Sequence, residues 1–274
     1  MNAISFSVNG LTDCGLNRKN NEDNYLIEEG KGAHNANQLL CAVADGMGGK
    51  EYGELASALA TEALRKEFRL MVRKPAAGLD ITKWLQDTVQ KANLKLLEQA
   101  SRIKARDAIG STLVTVLITD QKAFIANVGD SRAYLLRNNE LYQITRDHSL
   151  VSIMVEKEII KPEEIYTYPR RGELMRYLGQ ERDVKADIFE LELIGGDTLL
   201  LCSDGLWAMV KDQEMRSILT MSLNPKDACK KLVEAANRAG GEDNITVIIV
   251  RIQQREKQLS VKNLLSNFIG KKEK

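Results

Sequence analysis

The order of elements in this chain predicts an α+β fold, with antiparallel sheets inside and helices outside. Three observations predict it. Short apolar runs of strand length dominate the sequence. Segments with helical spacing come in pairs between groups of those runs, instead of alternating with them one for one, which disfavours a repeated βαβ plan. No linker rich in Pro, Gly or Ser and no internal repeat divides the 274 residues, of which 43% are apolar. One domain is therefore expected over residues 1–252, followed by a tail at 253–274.

Tyr25-Leu26-Ile27 is strand-like, and residues 39–44 form an apolar run that ends in Asp45-Gly46. Residues 53–70 place Leu55, Leu59 and Ala63 at helical spacing; residues 81–103 do the same with Trp84, Leu85, Val89, Leu96 and Leu97. Residues 112–119 and 123–128 read as a strand pair turning at Asp120-Gln121. Residues 132–137 and 140–145 read as a hairpin around Asn138-Asn139. Residues 187–194 alternate in polarity, and 198–202 is a buried run. A second helix pair follows at 213–221 and 225–239, the latter starting with Pro225 behind the capping residue Asn224. Ile-Thr-Val-Ile-Ile-Val within 245–252 closes the series. In the tail, Val261, Leu264, Leu265, Phe268 and Ile269 follow helical spacing between Lys262 and the final Lys271-Lys272-Glu273-Lys274. That spacing allows an amphipathic helix, packed on its own domain or disordered more readily than docked on a partner or an anionic membrane.

Composition excludes several classes. The formal net charge is +1, which argues against a nucleic-acid coat or a polybasic membrane protein. No run reaches the ~18 apolar residues that span a bilayer. Residues 1–10 lack a basic segment followed by an apolar run, so no secretion signal is expected. Cys14, Cys41, Cys202 and Cys229 are scattered, as reduced thiols of a cytoplasmic protein would be. A monomer is expected.

One local event recurs: an apolar strand runs into an aspartate beside a glycine. It occurs at Asp45-Gly46, at Gly129-Asp130 and at Asp204-Gly205. Asp243 precedes the last strand, and Glu22-Asp23 precedes Tyr25. A single Asp-Gly is an ordinary turn. The whole set, if the strand ends meet at one sheet edge, gathers negative charge. Two carboxylates ~5 Å apart repel by roughly 3 kcal/mol at an effective dielectric of ~20. Four of them need protons or metal, and two divalent cations would balance the charge. Hard oxygen ligands select magnesium or manganese. Gly46 leaves its carbonyl open to a cation. Arg18, close before Glu22, has the planar fork that suits phosphate oxygens.

Other phosphate chemistries lack their residues. A cysteine phosphatase needs arginine six residues after the cysteine, and those positions hold Asn20, Met47, Ala208 and Ala235. The two histidines, His34 and His148, are too few for an imidazole-built metal site. The run Gly46-Met47-Gly48-Gly49-Lys50 fails the phosphate-loop pattern at Ala44 and Glu51. No Gly-x-Ser-x-Gly elbow is present.

The motifs resemble a known family, the metal-dependent (type 2C) protein serine/threonine phosphatases, in their bacterial form. Thr12-Asp13-Cys14-Gly15 through Arg18 and Asn21-Glu22-Asp23 resemble its first motif, and residues 43–49 its second. Gly110-Ser111-Thr112 and residues 127–132 resemble the central motifs; residues 201–207 and Asp243-Asn244-Ile245-Thr246 resemble the last two. The match runs in order from about residue 5 to residue 252.

This resemblance implies a four-layer αββα sandwich of two antiparallel sheets flanked by helix pairs, with metals at one sheet edge. It implies that Asp45 bridges two Mg2+ or Mn2+ ions, with Asp204 and Asp243 completing one site. Glu22 or Asp23, with the Gly46 carbonyl, completes the other; the choice between the two stays open. Arg18 holds the phosphate, and Asp130 helps to bind a third, weaker ion. The implied reaction is direct hydrolysis of phosphoserine and phosphothreonine by water activated between two cations, with no covalent intermediate. Phosphorylated proteins, the products of a serine/threonine kinase, are the implied partners. Within this resemblance, Met47 departs from many eukaryotic members, which carry a potential proton-donating histidine there. His148 also matches the family, with a structural role expected. The segment 149–179 resembles the family's flap, with Arg170, Arg171 and Arg176 weighed as phosphopeptide contacts. Gly172 stands where Asn is usual, which suggests a looser flap. A non-catalytic phosphoprotein-binding regulator is the rival reading, and hydrolysis of a small phosphoester a third.

Overall fold

The computed structural model describes residues 4–31, 37–73, 78–104 and 109–254. Its strands form two sheets in which every neighbouring pair is antiparallel. The first has the order β1 (Ile4–Asp13), β11 (Ile245–Gln254), β10 (Thr198–Cys202), β7 (Arg132–Arg137), β8 (Glu140–Gln143). The second runs β2 (Asp23–Lys31), β3 (Asn37–Met47), β5 (Leu113–Thr119), β6 (Lys122–Val128), β9 (Asp187–Glu192), with the short β4 (Gly110–Ser111) paired to the end of β3.

Side chains alternate across a strand, and here both faces are apolar because both are covered. On β3, Leu40, Ala42 and Ala44 join one core with residues of α1 (Gly49–Arg73) and α2 (Ile81–Arg102). Leu39, Cys41 and Val43 face the other way, into a core shared with Leu199, Leu201, Ile248 and Val250 of the first sheet. The opposite face of that sheet buries Leu200, Cys202, Val247 and Ile249 against α5 (Asp212–Met221) and α6 (Pro225–Arg238). The layers are therefore helices, sheet, sheet, helices, as the family resemblance implied.

Local chemistry sets the element ends. Asp80 caps α2 by accepting from the Lys83 amide, and Asn224 caps α6 by accepting from Asp227. Asn138 and Asn139 both hold positive φ, as a two-residue hairpin turn requires. Strand β1 was not foreseen; Ser5, Ser7 and Asn9 break its apolar pattern because it is a sheet edge. Two further helical segments follow the central strands, α3 (Leu150–Glu156) and α4 (Asp204–Trp207), with a 3-10 turn at Pro162–Tyr166. The amphipathic pattern of the tail lies outside the described residues. Among those described, no helix is long and apolar enough to cross a membrane.

Strand direction now fixes the site. The ends of β3, β6 and β10 and the starts of β2, β7 and β11 lie at one end of the sandwich. Every aspartate singled out by sequence sits there.

Candidate metal centre

A cleft of about 830 Å³ opens at this end, and Arg18, Glu22, Asp45, Asp130, Asp204 and Asp243 line it. Gly46 and Met47 lie between them. Asp23 is placed differently: it pairs with Asp45 across β2 and β3 and is only 6% exposed. Its Oδ2 accepts from the Ser203 hydroxyl at 2.7 Å, while Oδ1 is buried without a hydrogen-bond partner. Sequence left Glu22 and Asp23 as alternatives; the fold puts Glu22 at the cleft surface and Asp23 behind it.

Electrostatics follows from the crowding. Burial, reinforced by Asp204 and Asp243, pushes the Asp23 carboxyl up to about 8, although bonds from Thr246 and Ser203 favour its ionised form. Asp45 is held well above the usual carboxylate range by burial and then by Asp23, Asp204, Asp130 and Asp243. Burial and Asp204 raise Asp130 as well. Asp204 rises to about 6 through burial and Asp243, opposed by a hydrogen bond with Asp45. Glu22 is raised by burial, with Arg18 opposing. Asp45 and Asp204 keep some surface on the cleft but are otherwise enclosed by protein, so water solvates them poorly.

Such a set suits a hard divalent cation. All its side-chain donors are oxygens, and Oδ1 of Asp204, like that of Asp23, is buried and unpartnered. The nearest compensating charge is Arg18, whose Nη2 donates to Asp243 Oδ2 at 2.7 Å. Among the described residues, the carboxylates are not drawn into a closed cage of three or more. They line a wall, with Asp243 turned to Arg18.

Several residues build this wall without joining it. Thr112 Oγ1 accepts from the Asp45 amide at 3.0 Å and shares a hydrogen bond with Ser131, tying β3 to the turn that leads into β7. Asn244 accepts from the Glu22 amide and donates to the carbonyls of Cys14 and Asn20, locking the Arg18 loop to the Asp243 loop. Both residues lay inside quoted motifs, but nothing in the sequence marked them as braces. Gly15, at φ +74°, is needed because a Cβ there would stand 2.2 Å from the Asp243 carbonyl oxygen. Packing also requires glycine at Gly46: a Cβ would lie 1.9 Å from the Gly53 carbonyl oxygen of α1.

The flap arginines are already engaged. Arg170 pairs with Glu173, Arg171 with Glu242 at 2.7 Å, and Arg176 with Asp187 at 2.8 Å. Gly172 and Leu174 reach the cleft. A side chain at Gly172 would meet open space, so packing does not require glycine there. His148 sits behind Asp130, where its Nδ1 accepts from the Gly129 amide at 3.1 Å.

Comparison with known proteins gives a consistent picture. The protein phosphatase 2C family matches residues 17–237. The serine/threonine phosphatase stp of Listeria monocytogenes is 40% identical over 239 residues, 87% of this chain and 93% of that protein. Protein phosphatase PhpP of Streptococcus pneumoniae is 34% identical over 248 residues, 90% of this chain and 97% of that one. The crystal structure of the catalytic domain of serine threonine protein phosphatase PstP in complex with two manganese ions superposes with a TM-score of 0.80. Its identity is 32%, over 92% of this chain and 100% of that one.

Proposed function

Because the chain belongs to the protein phosphatase 2C family, and so is a metal-dependent serine/threonine protein phosphatase, we propose that the acidic cleft is its active site. The observation that carries this assignment is the convergence of Glu22, Asp45, Asp130, Asp204 and Asp243 on one cleft beside Arg18. Magnesium or manganese is the cofactor. Asp45, which lines the same cleft, would serve both groups of ligands. Asp204 and Asp243 form one group; Glu22 and the Gly46 carbonyl form the other. Asp23 supports Asp45 from behind, and Asp130 offers a third, weaker position. Cations held by these residues would neutralise the carboxylates and supply the Lewis acidity that makes water nucleophilic and offsets phosphoryl charge.

The chain's own groups set up the rest. Arg18 is half-exposed, and its ion pair with Asp243 is the kind worth about 0–1 kcal/mol. Its guanidinium can therefore leave Asp243 for two phosphate oxygens at little cost. Thr112 and Asn244 hold the carboxylate-bearing loops in place before substrate arrives. Met47 has no transferable proton, so the leaving oxygen has no imidazole donor at this position.

The substrates in this reading are phosphoproteins made by a serine/threonine kinase, and the enzyme works as a monomer in the cytoplasm. Four unpaired cysteines support that compartment. The catalytic domain includes β11 to its end at Gln254, two residues past the boundary expected from sequence, and the tail follows it. The deciding test is turnover of a phosphothreonine peptide by the purified chain with and without manganese. Rapid, manganese-dependent release of phosphate is expected. Binding of the phosphopeptide without any turnover would overturn the assignment of this cleft as a catalytic site.

A further inference from the structure

One imidazole stitches the base of the flap to the strand end that carries Asp130. His148 is 8% exposed. Its backbone amide donates to the Gly129 carbonyl at 2.9 Å, and the Gly129 amide donates back to His148 Nδ1 at 3.1 Å. A ring nitrogen that accepts carries no proton, so the proton belongs on Nε2. Nε2 then faces Asp187 Oδ2 at 3.2 Å. Arg176 Nη1 is 3.0 Å from Nε2, but both are donors in this tautomer. Arg176 donates instead to Asp187 Oδ1 and to the Lys185 carbonyl.

The same histidine closes the flap. The Met175 amide donates to the His148 carbonyl and the Leu150 amide to the Glu173 carbonyl, with an antiparallel bridge between Ser149 and Leu174. Gly129 has φ +103°, a conformation that glycine adopts readily and that residues with a side chain rarely do. Downstream, the Asp130 carbonyl is held by the Trp207 indole N–H at 2.9 Å. Asp130 thus hangs between two clamps, one of them anchored in the flap.

We propose that His148 is a positioning residue: as the Nε2–H tautomer it fixes the Gly129 amide, and thereby aims Asp130 into the cleft, using Asp187 and the flap base as its anchor. This rests on the reading of Asp130 as a cation-binding side chain.

Two amide substitutions separate the ring's functions. His148→Asn keeps an acceptor near the Nδ1 position and loses the Nε2 link. His148→Gln keeps a donor near Nε2 and loses the acceptor for Gly129. Titration calorimetry with Mn2+ alone should show the weakest site loosened about 10-fold or more in His148→Gln and within about 3-fold of wild type in His148→Asn. Hydrogen exchange at the Gly129 amide should quicken in His148→Gln only. Equal Mn2+ binding and equal Gly129 exchange in the two variants, whatever their melting temperatures, would overturn the proposal. Nitrogen NMR of the unsubstituted protein provides a test that needs no variant to fold. It should find the Nε2–H tautomer at neutral pH, and an Nδ1–H tautomer would also overturn the proposal. Should Asp130→Asn leave the weakest Mn2+ site intact, the reading of Asp130 fails; the exchange and tautomer results would still report on the clasp itself.

Discussion

Arg18 and Asp243 hold each other at 2.7 Å, and the proposed site gives each a second task. If Arg18 grips phosphate, Arg18→Ala should raise KM about 10-fold for a phosphopeptide and alter kcat less than about 3-fold. An unchanged KM in steady-state assays would remove Arg18 from the phosphate site. Asp204 offers a sharper contrast between folding and function, because one of its oxygens is buried without a partner. Asp204→Asn should cut turnover by about 100-fold or more, beyond what loss of a supporting residue costs. The metal-free variant should melt at or above the wild-type temperature near pH 8, since one charge of the crowded set is gone. Circular dichroism checks the second point. At this scale the Asp-Gly motifs and Arg18 were legible in the sequence, because their chemistry is local. The choice between Glu22 and Asp23 was not, because it depends on Asp23 standing opposite Asp45 in the β2–β3 register. The packing reason for Gly46 was hidden likewise, since Gly53 approaches it from a different element.

Elements were legible where both their faces are apolar, or where spacing and caps agree. Strands β3, β5, β6, β10 and β11 and helices α1, α2, α5 and α6 belong to that group. β1 escaped because an edge strand tolerates polar residues, and α3 and α4 because one or two turns carry too little periodicity. A buried ion pair beneath α4 was also invisible. Arg132 and Asp147 have side chains 5% and 4% exposed, joined by three hydrogen bonds, the shortest 2.6 Å. Arg132 also donates to the Tyr134 hydroxyl and lies 3.7 Å from the centre of the Trp207 ring. Removing one partner leaves the other buried and uncompensated. Asp147→Ala should therefore cost about 3–5 kcal/mol in urea unfolding. A loss below about 1 kcal/mol would mean that Arg132 finds solvent without Asp147.

For the whole molecule, the acidic residues come from both sheets, so their charge state is a property of the assembled sandwich. Asp23 has its pKa raised from 3.8 to about 8 on folding, and Asp204 from 3.8 to about 6. A carboxyl raised in the native state binds its proton more tightly there than in the unfolded chain. Its ionisation therefore opposes folding as pH rises from about 4 to 8. The melting temperature of the chelator-treated protein should fall across that range, on account of this cluster. Millimolar Mg2+ should raise it, and more at pH 8 than at pH 6, because a cation bound at the proposed site would have to displace protons from ligands such as Asp204. Differential scanning calorimetry at the two pH values checks the sign; stabilisation by Mg2+ that shrinks with pH would contradict it.

The pairing of β3 carries one more consequence. Its alternate side chains serve two separate cores, and Asp23 faces Asp45 only because the strands are aligned as they are. A slip by a single position would exchange the two cores and carry Ala44 or Gly46 into the acidic rank. Phosphate release is therefore a gauge of alignment: a chain that has miswound by one step falls silent even if it stays soluble and well ordered.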